Sequence, residues 1–169
     1  MCSSDLFVSL GRIVNRSRPD RWRPTPVELN RPLLLPAIAL AAWTFVVWAW
    51  MYVTRIPAIR RAGMKLDPTA PRGEQMATLP AEVRWKADNY NHLFEQPTIF
   101  YPVVIIAALL PGSGSTDLAL AWTYVALRVV HSVYQATINR IEVRFVLFLL
   151  SSLGLLALVA RTGMALLGP

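Results

Sequence analysis

Hydrophobic and polar positions along this chain alternate in long blocks rather than residue by residue. Four blocks are apolar. Residues 33–53 carry no charge, 97–110 form a short run that Leu93 and Phe94 extend N-terminally, 118–138 form a third, and 143–159 a fourth interrupted only by Arg144 near its start. Roughly 20 apolar residues carry an α-helix across a hydrocarbon core, so four crossings fit. A membrane β-barrel would need period-two alternation, which these continuous runs lack. The pattern predicts an all-α protein, an integral membrane four-helix bundle over residues 31–169.

The third block is not purely apolar. Tyr124, Arg128, His131, Gln135 and Asn139 recur at spacings of four, three, four and four, which puts all five on one face of a helix. An arginine near the middle of a membrane helix costs about 3 kcal/mol or more unless it faces protein or water. The second crossing has a matching stripe, Arg84, Asp88, Asn91 and Glu95, again at helical spacing. Two readings are open. The stripes satisfy one another, with Arg128 paired to Glu95 and Asn91 bonding across the bundle. Alternatively, they line a cavity for a polar ligand, which better accounts for so many hydrogen-bonding side chains. Arg144 starts the fourth crossing and Arg55 ends the first; each fits either an interfacial snorkelling arginine or a site residue.

The connections read as aqueous loops. Gly63, Pro68, Pro71 and Gly73 mark the first, after which Leu79-Pro80 opens a helix. The turn at 111–116 links the second and third crossings, with Ser115 or Thr116 as the expected cap, and 140–144 is a tight polar link to the fourth. No internal repeat is visible, which disfavours a small transporter, although Pro97 and Pro102 could disrupt the second helix. Residues 1–30 are basic and proline-bearing and read as a disordered tail, with no signal-peptide h-region. Met1 to Leu6 can be encoded by the end of a common sequencing adapter read from a GTG start, so native translation is expected nearer Val27.

With 54% hydrophobic and 16% charged residues, an ordinary soluble domain is excluded. The net charge of +7 is assigned to loops that meet anionic headgroups rather than to nucleic acid, since no nucleic-acid-binding motif occurs. Lys and Arg density favours a cytoplasmic first loop, narrowly, because the tail is nearly as basic. Cys2 is the single cysteine, so neither an intrachain disulfide nor a cysteine metal site can form, and no metal-ligand array is present. Ser132 lies beside His131 but on a different helical face, which argues against a Ser–His–Asp hydrolase.

At these residues the chain resembles the MAPEG family, membrane-associated proteins of eicosanoid and glutathione metabolism. The segments that carry the resemblance are Arg84-Trp-Lys-Ala-Asp-Asn-Tyr-Asn-His-Leu-Phe-Glu-Gln-Pro97 and Arg128-Val-Val-His-Ser-Val-Tyr134, followed by Arg140 and Arg144. The resemblance covers roughly residues 33–165. It implies a homotrimer of four-helix subunits with glutathione, as co-substrate, bound between neighbours. By transfer, Asn91 and Glu95 hold the peptide backbone of glutathione and Arg84 or Lys86 a carboxylate. Arg55, Arg128, His131, Tyr134 and Gln135 would line the site, and Arg144 would face the sulfur as the catalytic residue.

The implied activity is a glutathione-dependent transferase or peroxidase, acting on a hydrophobic small molecule or a lipid peroxide from the bilayer. A non-catalytic oligomer, whose stripes are structural or bind lipid headgroups, is the alternative. The family spaces its asparagine and glutamate by three, against four for Asn91 and Glu95, and has a tyrosine where Gln135 stands. These departures place the chain in a divergent, bacterial branch, expected in the inner membrane.

Overall fold

The computed structural model describes residues 28–168 except 72. The expectations for the N-terminal tail and its start codon therefore lie outside the described residues, apart from Glu28 to Asn30. A single 3-10 turn, Arg31–Leu33, leads into α1 (Leu34–Arg61). There follow α2 (Glu74–Ala77), α3 (Ala81–His92), α4 (Pro97–Leu109), α5 (Ser115–Thr137) and α6 (Ile141–Leu167). All regular structure among the described residues is helical.

Three helical segments are long and apolar enough to cross a membrane: Arg31–Arg61, Ala81–Leu109 and Ile141–Leu167. The fourth crossing is α5, whose 23 residues rise about 34 Å at 1.5 Å per residue. Its polar face lowers its hydropathy, and that face is turned inward. Tyr124, Arg128, His131, Ser132 and Gln135 are all buried, and α5 packs against α1, α3 and α6. The outer surface is the reverse of a soluble protein's: Phe45, Val53, Phe145 and Leu156 are exposed, as lipid-facing residues should be.

The core follows from the apolar periodicity. Leu40 and Val47 of α1, Phe100 and Val104 of α4, Ala121 and Val125 of α5, and Leu155 and Leu158 of α6 form one cluster. Phe100 stacks on Tyr124 with ring centroids 4.5 Å apart. α1 runs eight residues beyond the apolar block that predicts it, through Pro57. Beyond the apolar region water can take the carbonyl that a proline leaves unbonded, so the helix continues.

Two local expectations are corrected. Neither Ser115 nor Thr116 caps α5: the N-cap is Gly114, whose N–H donates to the Asp117 carboxylate at 3.0 Å. Asp117 also receives Arg161 Nε at 2.6 Å, so one carboxylate joins the start of α5 to the end of α6. Asn139 leaves the helical stripe, because α5 ends at Thr137 and Asn139 adopts φ 57°, a left-handed turn that asparagine tolerates. The second crossing is the other departure from a plain rod. It is broken between His92 and Pro97, midway between its ends.

Candidate functional site

The break in the second crossing organises the polar residues. α3 ends at His92 and α4 opens at Pro97, which has no N–H; the Asn89, Tyr90 and Asn91 carbonyls keep main-chain donors, whereas the His92 carbonyl needs a side-chain donor. Arg128 supplies one: its Nη2 donates to the His92 carbonyl at 2.7 Å. Gln96 Nε2 donates to Ser152 Oγ of α6 at 2.7 Å, pinning the far side of the break. Arg128 is buried to 1% exposure and also lies over the Phe148 ring at 5.6 Å. The expected Arg128–Glu95 contact is replaced by this main-chain cap, with Glu95 near enough only for a through-space attraction. The arginine is thus accommodated by a carbonyl dipole and an aromatic face.

On the break itself His92 Nδ1 meets Glu95 Oε2 at 2.8 Å. Both side chains remain accessible, at 32% and 61%. His131, buried on α5, turns its ring edge toward His92 (centroids 6.3 Å) and also lies 6.3 Å from Phe148. One turn before Phe148 on α6 stands Arg144, half-buried. Its Nη1 donates to Asn139 Oδ1 at 2.7 Å, so the left-handed turn after α5 aims the guanidinium. Arg128, Arg144 and His92 all lie within electrostatic reach of His131. Gln135 is buried and Tyr134 half-buried on the same helix.

The remaining expected residues collect on the other side of α3. A cleft of about 480 Å³ is lined by Arg55 of α1, by Arg84, Asp88 and Asn91 of α3, and by Gly73 and Met76 of the first loop. Arg55 Nε is buried in it without a partner among the described residues. Lys86 turns away, donating from Nζ to the Glu82 carbonyl at 2.7 Å and lying 5.6 Å over the Trp50 ring. Arg84 rather than Lys86 therefore faces this cleft. The two stripes do not form one cavity among the described residues: Arg128, His131 and Gln135 are interior, whereas Arg84, Asp88, Asn91 and Glu95 are exposed on the outer surface.

Several polar residues escape a stripe-based reading. Asn89, one residue off the stripe, is buried and donates to Ser132 Oγ at 2.8 Å, while Trp43 Nε1 donates to the same oxygen at 3.0 Å. Ser132, set aside as a nucleophile, is thus the junction of α1, α3 and α5. His92 could have been found from its i, i+3 spacing to Glu95. The loop that roofs the cleft could not, since Gln75 holds it through the Lys65 carbonyl and the Asp67 N–H, a contact with no local signature. Among the described residues no group of metal-ligating side chains occurs.

Beside the cleft lies an apolar groove of about 320 Å³ between α1 and the second crossing, lined by Phe45, Trp48, Phe94 and Tyr101. Tyr90 lines both cleft and groove. A polar recess thus adjoins a lipid-side recess, with a tyrosine between them.

No curated protein and no solved structure matches the chain. Residues 33–164, spanning all four crossings and every candidate residue described above, match the MAPEG family. A membrane helical bundle with this match over most of its length belongs to the MAPEG family.

Proposed function

We propose that the protein is a glutathione-dependent membrane transferase or peroxidase that acts as a homotrimer. One observation carries this reading. Arg84, Asp88, Asn91 and Glu95 are exposed along a membrane-crossing segment, on the wall of or beside a 480 Å³ cleft. Ionised side chains at bilayer depth cost several kcal/mol when they face lipid, by about 3 kcal/mol each on insertion scales. That face is therefore expected to meet a neighbouring subunit and a polar ligand held between the two. The cleft volume falls within the usual range for small-molecule sites, about 300–1,000 Å³.

The chemistry follows from the charges. Arg55 and Arg84 suit the carboxylates of glutathione, and Asn91 and Glu95 its peptide and amino groups. Arg144, held by Asn139, is assigned to the sulfur. A free thiol has a pKa of about 8.5, and an adjacent guanidinium lowers it by roughly one to three units. The thiolate then attacks a hydrophobic electrophile or a lipid peroxide that arrives from the bilayer.

Purified protein in detergent or nanodiscs is expected to bind glutathione, develop thiolate absorbance and conjugate a chlorinated nitroaromatic. Arg144→Ala should abolish the thiolate signal while retaining the fold. No binding at millimolar glutathione would overturn the reading. A second reading, a non-catalytic oligomer with structural stripes, is favoured by the interior bonds, in which Asn89 and Trp43 both donate to Ser132 and Arg128 donates to the His92 carbonyl. Stable oligomers that neither bind glutathione nor lose assembly with Arg144→Ala would support it.

A further inference from the structure

We propose that His92, held by Glu95, is the proton acceptor of this site. The inference rests on the glutathione reading above. A carboxylate can only accept, so the 2.8 Å contact with Glu95 requires the proton on His92 Nδ1. Nε2 is then the basic nitrogen, and it makes no hydrogen bond among the described residues. The backbone that carries the imidazole is also held at two points. Its own carbonyl is capped by Arg128, and the chain four residues on is tied to Ser152 through Gln96. Carboxylate, imidazole and an accessible basic nitrogen in line make the arrangement of a general base with its orienting group.

The surroundings suit that role. The titratable and charged groups that meet His92 are Glu95 on its own crossing and Arg128 and His131 on α5; Arg144 on α6 lies within electrostatic reach of His131, and α1 brings Arg55 to the adjoining cleft. In the reaction the glutathione S–H bond breaks, its proton passes to His92 Nε2, and the sulfur electron pair forms the new S–C bond. With an aryl chloride as acceptor, chloride leaves with the bonding pair and the imidazolium releases its proton to water. Arg144 stabilises the sulfur's negative charge while His92 takes the proton.

The test is the pH dependence of conjugation and of glutathione thiolate absorbance in the intact oligomer, for wild type, His92→Gln and Glu95→Gln. His92→Gln keeps a hydrogen-bond donor for Glu95, and oligomer size reports folding. The variant rate is expected to fall about a hundredfold at pH 7, the usual contribution of a general base. Its profile should move up toward that of the free thiol, near pH 8.5, with added imidazole restoring activity at neutral pH. Glu95→Gln, which loosens the ring without removing it, should lower the rate at pH 7 by less than His92→Gln does. A His92→Gln profile that superimposes on wild type, with glutathione still bound, overturns the inference and leaves the glutathione reading standing. Absence of thiolate in wild type overturns both.

Discussion

At the scale of single residues, position within the stripe decides less than the partner each residue finds. Arg128 and Arg144 are both arginines on membrane-crossing helices, yet one caps a broken helix and the other is aimed by a turn. Arg128→Leu should therefore lower stability, by about 1–3 kcal/mol for a lost charge-assisted hydrogen bond to a buried carbonyl. Thermal unfolding in detergent measures this; a loss of glutathione affinity with unchanged stability would instead make Arg128 a ligand. Asn139 separates backbone from side-chain roles. Asn139→Gly keeps the left-handed turn and should leave stability within about 0.5 kcal/mol, whereas Asn139→Ala adds about 1 kcal/mol of strain. Both remove the anchor of Arg144, so conjugation should fall on the order of tenfold in each, as misplacement of a reacting group does.

At the scale of elements, the decisive feature is that the second crossing is two helices. The main-chain ladder breaks ahead of Pro97, and Arg128 of the neighbouring α5 supplies the donor for the His92 carbonyl, as an apolar surrounding requires. The sequence makes the proline visible but not its consequence. What Arg128, Gln96 and Ser152 do at the break depends on α5 and α6 lying beside it. Ser132 shows the same dependence, since its two donors come from residues 89 and 43. Ser132→Ala leaves the buried Asn89 amide and the half-buried Trp43 indole N–H without this acceptor. It should cost about 0.5–2 kcal/mol, the range for hydrogen bonds between membrane helices. A double-mutant cycle of Ser132→Ala with Asn89→Leu, followed by thermal unfolding, should show coupling; strict additivity would mean that the shared bond contributes nothing.

For the whole molecule, the two ends of the bundle do different work. At the end where α5 begins, Asp117 joins Gly114 and Arg161, about three helical turns before Arg128. Asp117→Asn should lower the melting temperature but leave the glutathione thiolate signal unchanged, because nothing at the sulfur site touches it. At the other end, charged residues on an outer face predict assembly. Glu95→Leu should leave a folded chain with weakened conjugation, and cross-linking before and after the substitution shows whether that face lies between subunits. Full activity and unchanged cross-linking would place the stripe on an idle surface.

The sequence by itself determined the helical membrane architecture, the inward turn of the third crossing and the resemblance to the family. The reason is that crossing length and helical periodicity are local quantities, written in 20-residue windows and three-to-four-residue spacings. Only the tertiary structure decided that the second crossing is broken, that Arg128 caps it instead of pairing with Glu95, and that the polar residues divide between an interior network and an outer cleft. Those outcomes depend on which helices become neighbours and on which main-chain groups the break leaves unpaired. A spacing rule can put residues on one face of a helix, but packing decides what that face meets.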